Sequence, residues 1–308
     1  MQPSPTALLK QFPGARFWPV WLMAGLLKLL SWLPLPAIYG LGRIAGDIAY
    51  CLHHPRRKIV WRNLSACFPN KNKAQIRALA RGHFRILMIA VLASGVSWWG
   101  GKTRLRRLVR FRNREIYDQA RARGENIILL APHFVGLEHG GICLSMMAPT
   151  VSMYRPNKNP LMDALIKRYR SRFGGVQYVR GSVPGALIKS IRGGCQFYYL
   201  PDQDPGRNKG VFAPFYSLPA ATFATLGRIA RMSDAQVIPC MTRILPRGLG
   251  FEIIFEQPLA DYPSGDRVLD ATTMNRAIET LIEYAPAQYF WSHRRFKTRA
   301  EGEPPFYR

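Results

Sequence analysis

From residue 124 onward, short apolar runs alternate with stretches in which apolar residues recur at helical spacing. Short apolar runs predict buried strands, and apolar positions three or four residues apart predict helices packed on one face. Such an alternation indicates an α/β fold with a mixed, mostly parallel sheet flanked by helices. The predicted strands are Ile127–Leu130, Val151–Arg155, Val176–Val179, Gln196–Leu200, Gln236–Thr242 and Phe251–Phe255, and the predicted helices are Leu137–Met147, Pro160–Phe173, Pro184–Arg192, Ala220–Arg231 and Ala271–Tyr284.

The N-terminal part of the chain has a different pattern. Between Phe17 and Gly42 the only charged residue is Lys28, and three tryptophans fit anchoring at a membrane interface. About 20 apolar residues can cross a bilayer. We therefore predict an N-terminal membrane-anchoring helix in residues 1–55, followed by one globular domain in residues 56–308. A buried core helix is the alternative.

Two prolines, Pro34 and Pro36, divide this apolar segment into 18–32 and 37–52. It is therefore either one kinked span or two shorter helices, the first lying in the interface. The denser basic cluster, Arg56-Arg57-Lys58, follows the segment, and this predicts that the bulk of the chain lies in the cytoplasm.

The charge balance narrows the choice of partners. The chain carries 44 Lys+Arg against 18 Asp+Glu, a net charge of +26. Such a surplus favours acidic partners: nucleic acid, an anionic membrane, a phosphorylated ligand or an acidic protein. No nucleic-acid-binding motif is present, so a membrane-tethered nucleic-acid-binding protein is the less favoured alternative. The five cysteines have no C-x-x-C spacing, which indicates reduced thiols in the cytoplasm.

Candidate chemistry lies directly after the first predicted strand. His133 and Glu138 are five positions apart, and on a continuous helix their side chains would diverge by roughly 140°. They can meet if His133 lies on the loop after Pro132 and a helix begins near Gly136, with Glu138 in its first turn. A histidine oriented by a carboxylate is a general base for a hydroxyl. The spacing does not fit a zinc protease motif, so we expect neither a metal nor a cofactor.

Polar residues also lie at the ends of two later predicted strands. Arg155 is the last residue of one, and Asp202 and Asp204 follow another, in a chain that is poor in acids. Ligands usually bind at strand ends in α/β sheets. Arg155 could clamp a phosphate or a developing oxyanion, or be a solvated arginine. The two aspartates could orient Arg155, hold a sugar hydroxyl or fix the loop backbone.

Taken in order, these motifs resemble those of the late (lauroyl and myristoyl) acyltransferases of lipid A biosynthesis, within the lysophospholipid acyltransferase superfamily. The resemblance covers nearly the whole chain. Its motifs are Arg56-Arg57, Asn63-Leu64, Cys67-Phe68-Pro69, the His133/Glu138 pair, Arg155 with Asn159-Pro160-Leu161 and Asp163, Arg170-Ser171-Arg172-Phe173-Gly174, Pro201-Asp202-Gln203-Asp204, and the segment 288–299. One departure is Gly136-Leu137, where the family often has Asn-Trp before the acid.

This resemblance implies transfer of a fatty acyl chain from acyl carrier protein to the 3-hydroxyl of an acyl chain that is already attached to the glucosamine disaccharide of a lipid A precursor. It implies His133 as the base and Glu138 as its partner, on the cytoplasmic face of the anionic bacterial inner membrane. Related glycerolipid acyltransferases share the histidine motif, so a glycerolipid or another glycolipid acceptor is the alternative. The candidates for substrate binding are Arg155, Asn159, Arg170, Asp202 and Asp204.

Overall fold

The computed structural model describes residues 5–181 and 184–307. Its centre is a seven-stranded sheet, and a two-stranded hairpin lies beside it. The strands of the central sheet are β1 (Val109–Arg112), β2 (Asn126–Leu130), β3 (Thr150–Tyr154), β4 (Gly175–Val179), β5 (Gln196–Tyr199), β8 (Ala235–Ile244) and β9 (Phe251–Phe255), and the hairpin is β6 (Val211–Phe215) and β7 (Leu218–Thr222).

Helices cover both faces of this sheet and form the N-terminal region. They are α1 (Pro5–Gln11), α2 (Trp18–Leu30), α3 (Leu35–Leu52), α4 (His54–Cys67), α5 (Lys73–Trp99), α6 (Lys102–Leu108), α7 (Arg114–Ala122), α8 (Leu137–Ser145), α9 (Pro160–Arg170), α10 (Pro184–Arg192), α11 (Thr225–Ser233) and α12 (Arg267–Tyr284). The predicted α/β class is confirmed.

The strand order in the sheet is β1-β9-β8-β2-β5-β3-β4. All neighbouring pairs are parallel except β8 with β9, so the sheet is mixed and mostly parallel, as predicted. Strands β2, β5 and β3 are consecutive neighbours in this order. Their carboxyl ends therefore meet at one edge of the sheet, and the segments that follow them come together there.

Two local predictions differ from the structure. The short strand β1 is not among the predicted strands, and it pairs with β9 at the edge of the sheet. The predicted helix Ala220–Arg231 is wrong in its first part, because β7 extends to Thr222 and α11 begins at Thr225. Pairing of β7 with β6 decides the conformation of this segment, and no single-strand pattern encodes that long-range contact.

Glycines let the N-terminal helices approach α5 closely. A Cβ atom at Gly95 would lie 1.9 Å from the carbonyl oxygen of Leu27 in α2, and one at Gly46 would lie 2.3 Å from Cα of Arg85. Glycine gives no such clash, so α2 and α3 pack almost backbone to backbone on α5. Asp47 adds ion pairs to Arg85 and Arg81 at 2.7 and 2.6 Å.

The opposite faces of α2 and α3 are apolar and exposed. Leu22 is 74% exposed and Ile44 is 62% exposed. The other members of this exposed surface are Trp18, Leu26, Leu29, Trp32, Leu33, Leu41, Ile48 and Leu52. Their spacing of three or four residues gives each helix one packed side and one unpacked apolar side.

The expected N-terminal anchoring helix is thus two shorter helices separated by the break at Pro34. Among the described residues, the internal helix α5 alone is long and apolar enough to cross a membrane, and half of its most apolar window is buried in the protein. Proline explains the break, since its ring is incompatible with continuing a helix through this point. The division into residues 1–55 and 56–308 stays a prediction.

Substitution of two glycines in α3 tests the close packing. Gly46→Ala is expected to lower the stability of the protein by about 1–3 kcal/mol, because the new methyl group meets the backbone of α5. Gly40→Ala, in the same helix, meets nothing within 4 Å and is expected to be neutral or stabilising by up to about 1 kcal/mol. Thermal unfolding in detergent measures both, and equal effects of the two variants would contradict this packing.

Candidate functional site

His133 lies in the short segment between β2 and α8, just after Pro132. Its backbone N–H donates to Oδ2 of Asp202 at 2.9 Å, and its Nδ1 lies 2.6 Å from Oδ1 of the same carboxylate. Asp202 follows β5, the neighbour of β2 in the sheet. One carboxylate therefore fixes both the backbone and the imidazole of His133.

The protonation state of this pair follows from its surroundings. Asp202 is only 2% exposed. Burial by itself would raise the pKa of this carboxyl, but the His133 imidazole and hydrogen bonds from His133 and Tyr289 outweigh it and lower the pKa to about 2. An ionised carboxylate only accepts hydrogen bonds, so Nδ1 of His133 carries the proton and donates it. The other nitrogen, Nε2, is then the basic one.

The C-terminal segment holds this arrangement from the other side. The backbone N–H of Phe290 donates to the carbonyl of His133 at 2.8 Å, and that of Val135 donates to Gln288 at 2.9 Å. The buried hydroxyl of Tyr289 donates to Asp202. Residues 288–290 thus clamp the segment that carries His133 against the end of β5.

Glu138 lies in the first turn of α8, as predicted, but its hydrogen-bond partner is not His133. Its carboxylate accepts two hydrogen bonds from the guanidinium of Arg170 in α9, one of them at 3.1 Å from Nε. Burial opposes ionisation of Glu138, yet the charge of Arg170 outweighs it and lowers the pKa of this carboxyl. The predicted contact of Glu138 with the imidazole is therefore corrected, since Asp202 makes that contact.

This pair also changes the interpretation of Arg170, a predicted substrate ligand. Both side chains line the same cavity as His133, and each is a little under one-third exposed. The negative charge of Glu138 and the imidazole of His133 act on each other through space. The charge of Arg170 is thus neutralised by Glu138 at the cavity wall. Glu138 is a negative charge near His133 that makes no hydrogen bond to its imidazole ring.

The other predicted substrate-binding residues separate into three cases. Arg155 is exposed and lines the cavity, so it is free to meet a ligand. The side chain of Asn159 caps α9 by accepting from Leu161 and Met162, and Asn159 is not among the cavity-lining residues. Asp202 holds His133 and is too deeply buried for a substrate contact.

Asp204 joins the loop after β5 to the C-terminal segment. It accepts from the backbone N–H and the hydroxyl of Thr298 at 2.7 and 2.8 Å. Its own backbone N–H donates to Nε2 of His293 at 3.2 Å. Burial lowers the pKa of His293 to about 4, which keeps this ring neutral and able to accept near neutral pH. Although Asp204 lines the cavity, its carboxylate serves to fasten the loop.

A cavity of about 1340 Å³ opens beside His133. Part of its lining is apolar and belongs to, or packs against, the cluster that includes the buried faces of α2, α3 and α5. This part consists of Leu87, Val135, Ile142, Ile166 and Phe290. Exposed cationic side chains line the cavity as well. The base thus shares its cavity with apolar surface suited to hydrocarbon and with positive charge suited to an anion.

Sequence reasoning missed the pairing of Asp202 with His133 and the part played by Tyr289. Asp202 lies in the motif that follows a predicted strand, and Tyr289 lies in the C-terminal segment 288–299. The signal that could have found the pair is the adjacency of β2 and β5, which places the two strand ends side by side.

Comparison with known proteins identifies the family of this chain. The family model described as bacterial lipid A biosynthesis acyltransferase matches residues 7–298. The chain is 36% identical to the lipid A biosynthesis lauroyltransferase of Escherichia coli K12, with 95% of each chain covered. It is 30% identical to the palmitoleoyltransferase of the same organism, with 97% of each covered. It is 32% identical to a lipid A biosynthesis acyltransferase of Haemophilus influenzae, covering 94% of this chain and 90% of the other. The chain therefore belongs to the bacterial lipid A biosynthesis acyltransferase family, and it is an acyltransferase.

Proposed function

We propose that this protein transfers a fatty acyl chain from an acyl-carrier-protein thioester to a hydroxyl of a lipid A precursor, the secondary acylation of lipopolysaccharide biosynthesis. The observation that carries the proposal is the His133–Asp202 pair at a cavity whose lining includes both apolar and cationic side chains. Family membership supplies the lipid A acceptor. The donor and the roles of the residues are part of the proposal.

The reaction needs one base and no covalent enzyme intermediate, because a thioester is already activated. Nε2 of His133 takes the proton of the acceptor hydroxyl as its oxygen attacks the thioester carbonyl. The tetrahedral intermediate collapses, the C–S bond breaks, and the imidazolium returns the proton to the departing thiolate. Asp202 holds the tautomer and stabilises the imidazolium. General-base assistance of this kind accelerates a reaction by roughly 10²–10⁴-fold.

Two further side chains have proposed roles in this step. Arg155, exposed in the cavity wall, stabilises the oxyanion or a substrate phosphate. Glu138 acts at a distance: its charge favours the imidazolium, while its hydrogen bonds hold Arg170 in the wall. This retains Glu138 in the site but gives the orienting role to Asp202.

The apolar part of the cavity lining is suited to the acyl chain. It is continuous with the packing of α2, α3 and α5, whose exposed faces are themselves apolar. We propose that α2 and α3 lie in the interface of the anionic inner membrane, with the catalytic domain on its cytoplasmic side. The surplus of 44 cationic over 18 acidic side chains favours both this membrane and an acidic carrier protein.

Analysis of lipid A tests the acceptor. Cells that lack the gene are expected to make lipid A with one secondary acyl chain fewer, which mass spectrometry detects as the mass of that chain. Complementation with the wild-type gene restores the mass. Unchanged lipid A together with altered phospholipid would contradict the main proposal and support the glycerolipid alternative.

Loss of the carboxylate that holds the imidazole tests the mechanism. Asp202→Asn is expected to lower kcat by roughly 10²–10⁴-fold, because an amide no longer fixes the tautomer or stabilises the imidazolium. His133→Ala is expected to abolish transfer. The double variant His133→Ala/Asp202→Asn is expected to be no worse than His133→Ala, because residues that act as a unit are not additive.

Glu138→Gln is the comparison variant. It removes a negative charge that contacts Arg170 and acts on the His133 imidazole through space. Because this effect does not pass through Asp202, adding Glu138→Gln to Asp202→Asn is expected to lower kcat further. Full activity of Asp202→Asn in the thioester transfer assay, or turnover by His133→Ala in a folded protein, would reject this account of the base.

Vesicle binding tests the membrane surface. Leu22→Glu combined with Leu26→Glu places charges where two leucines are 74% and 52% exposed. Affinity for vesicles that contain anionic lipid is expected to fall by at least about tenfold, since burying each leucine contributes about 1.5–3 kcal/mol. Val176→Glu, at a 48% exposed position on the far edge strand β4, is the control and is expected to bind normally. Equal binding by all three proteins in a flotation assay would refute the interfacial role of α2.

A further inference from the structure

Four exposed cationic side chains line the cavity in addition to Arg155. We call this group the basic wall, and it consists of Arg180, Lys209, Arg228 and Arg267. They come from four separate parts of the chain: the end of β4, the loop after β5, the first turn of α11 and the start of α12. All four are exposed at the cavity.

None of these cations is neutralised within the described residues, where no ion pair involves any of the four. The carboxylates that line the same cavity are engaged elsewhere. Glu138 binds Arg170, Asp163 binds Lys167 at 2.9 Å, and Asp204 binds Thr298. The basic wall therefore gives the cavity lining a surplus of positive charge.

The guanidinium groups of Arg180 and Arg228 both act on Tyr199. Cζ of Arg180 lies 4.3 Å from the centre of the Phe223 ring, which orients this side chain along the wall. Burial raises the pKa of the Tyr199 phenol, and the charges of both Arg180 and Arg228 oppose that rise. Both cations thus lie within electrostatic range of Tyr199, which lines the same cavity.

The N-terminus of α11 adds to this field. Thr225, its first residue, lines the cavity, and the helix has nine residues. Its first turn contains no acidic residue, and the N-cap residue Ala224 makes no side-chain capping hydrogen bond. Backbone N–H groups and the positive end of the helix dipole favour an anion at such a position.

We propose that the basic wall binds a phosphate ester of the substrate while His133 carries out acyl transfer elsewhere in the same cavity. Arginine is suited to this ligand because its planar guanidinium forms paired hydrogen bonds with phosphate oxygens. The inference deepens and rests on the proposed function. A phosphate ester can come from two sources: a phosphate on the glycolipid acceptor, or the phosphodiester of the donor's phosphopantetheine arm.

Equilibrium binding without donor tests the acceptor source independently of turnover. The probes are a bisphosphorylated tetra-acylated glucosamine disaccharide and its dephosphorylated form, each titrated into the full chain in detergent. Arg180→Gln/Arg228→Gln is expected to weaken binding of the phosphorylated probe by at least about tenfold and to leave the dephosphorylated probe unchanged. Arg231→Gln is the matched control, because it is exposed on the same helix but lines a different hollow, and it is expected to bind both probes normally.

Turnover with acyl-phosphopantetheine and acyl-pantetheine tests the donor source. If the phosphate is the donor's, the double variant raises KM for the first compound at least about tenfold and leaves that for the second unchanged. Equal effects on phosphorylated and unphosphorylated versions of both substrates, or no effect on either, would overturn the inference. Wild-type protein that binds the phosphorylated glycolipid but acylates neither form would instead refute the proposed function and leave the phosphate site intact.

Discussion

The buried carboxylate of Asp202 is the constraint on which the site depends. It accepts from both the backbone and the imidazole of His133, so it fixes the position of the base and its tautomer together. A charge with 2% exposure is tolerated only because His133 and Tyr289 satisfy it. The sheet makes this possible by placing β2 beside β5, and the C-terminal segment closes over the pair through Phe290.

The cavity beside that base combines two kinds of lining. Its apolar part belongs to the cluster that continues into the packing of α2 and α3 on α5, where glycines remove the side chains that would keep the helices apart. The basic wall and the N-terminus of α11 also line the cavity. Such a lining matches an amphiphilic substrate that carries both hydrocarbon and phosphate.

The sequence predicted the α/β class, most strand positions and the place of His133 after the first core strand, because local periodicity and proline positions encode them. It did not predict the partner of His133. Strand order is a long-range property, and only the adjacency of β2 and β5 brings Asp202 to the imidazole. The five-residue spacing pointed to Glu138 instead. The carboxylate of Glu138 accepts a hydrogen bond from Arg170 in α9, which lies 32 positions away in the sequence.

Nuclear magnetic resonance of the protein labelled with ¹⁵N-histidine tests the central claim most directly. A short Nδ1–H hydrogen bond to a carboxylate gives a far-downfield proton resonance. Loss of this resonance in His133→Gln would assign it to the His133 ring. The account predicts that this resonance moves upfield or disappears in Asp202→Asn and persists in Glu138→Gln. Persistence in Asp202→Asn with loss in Glu138→Gln would show that Glu138, and not Asp202, holds the imidazole.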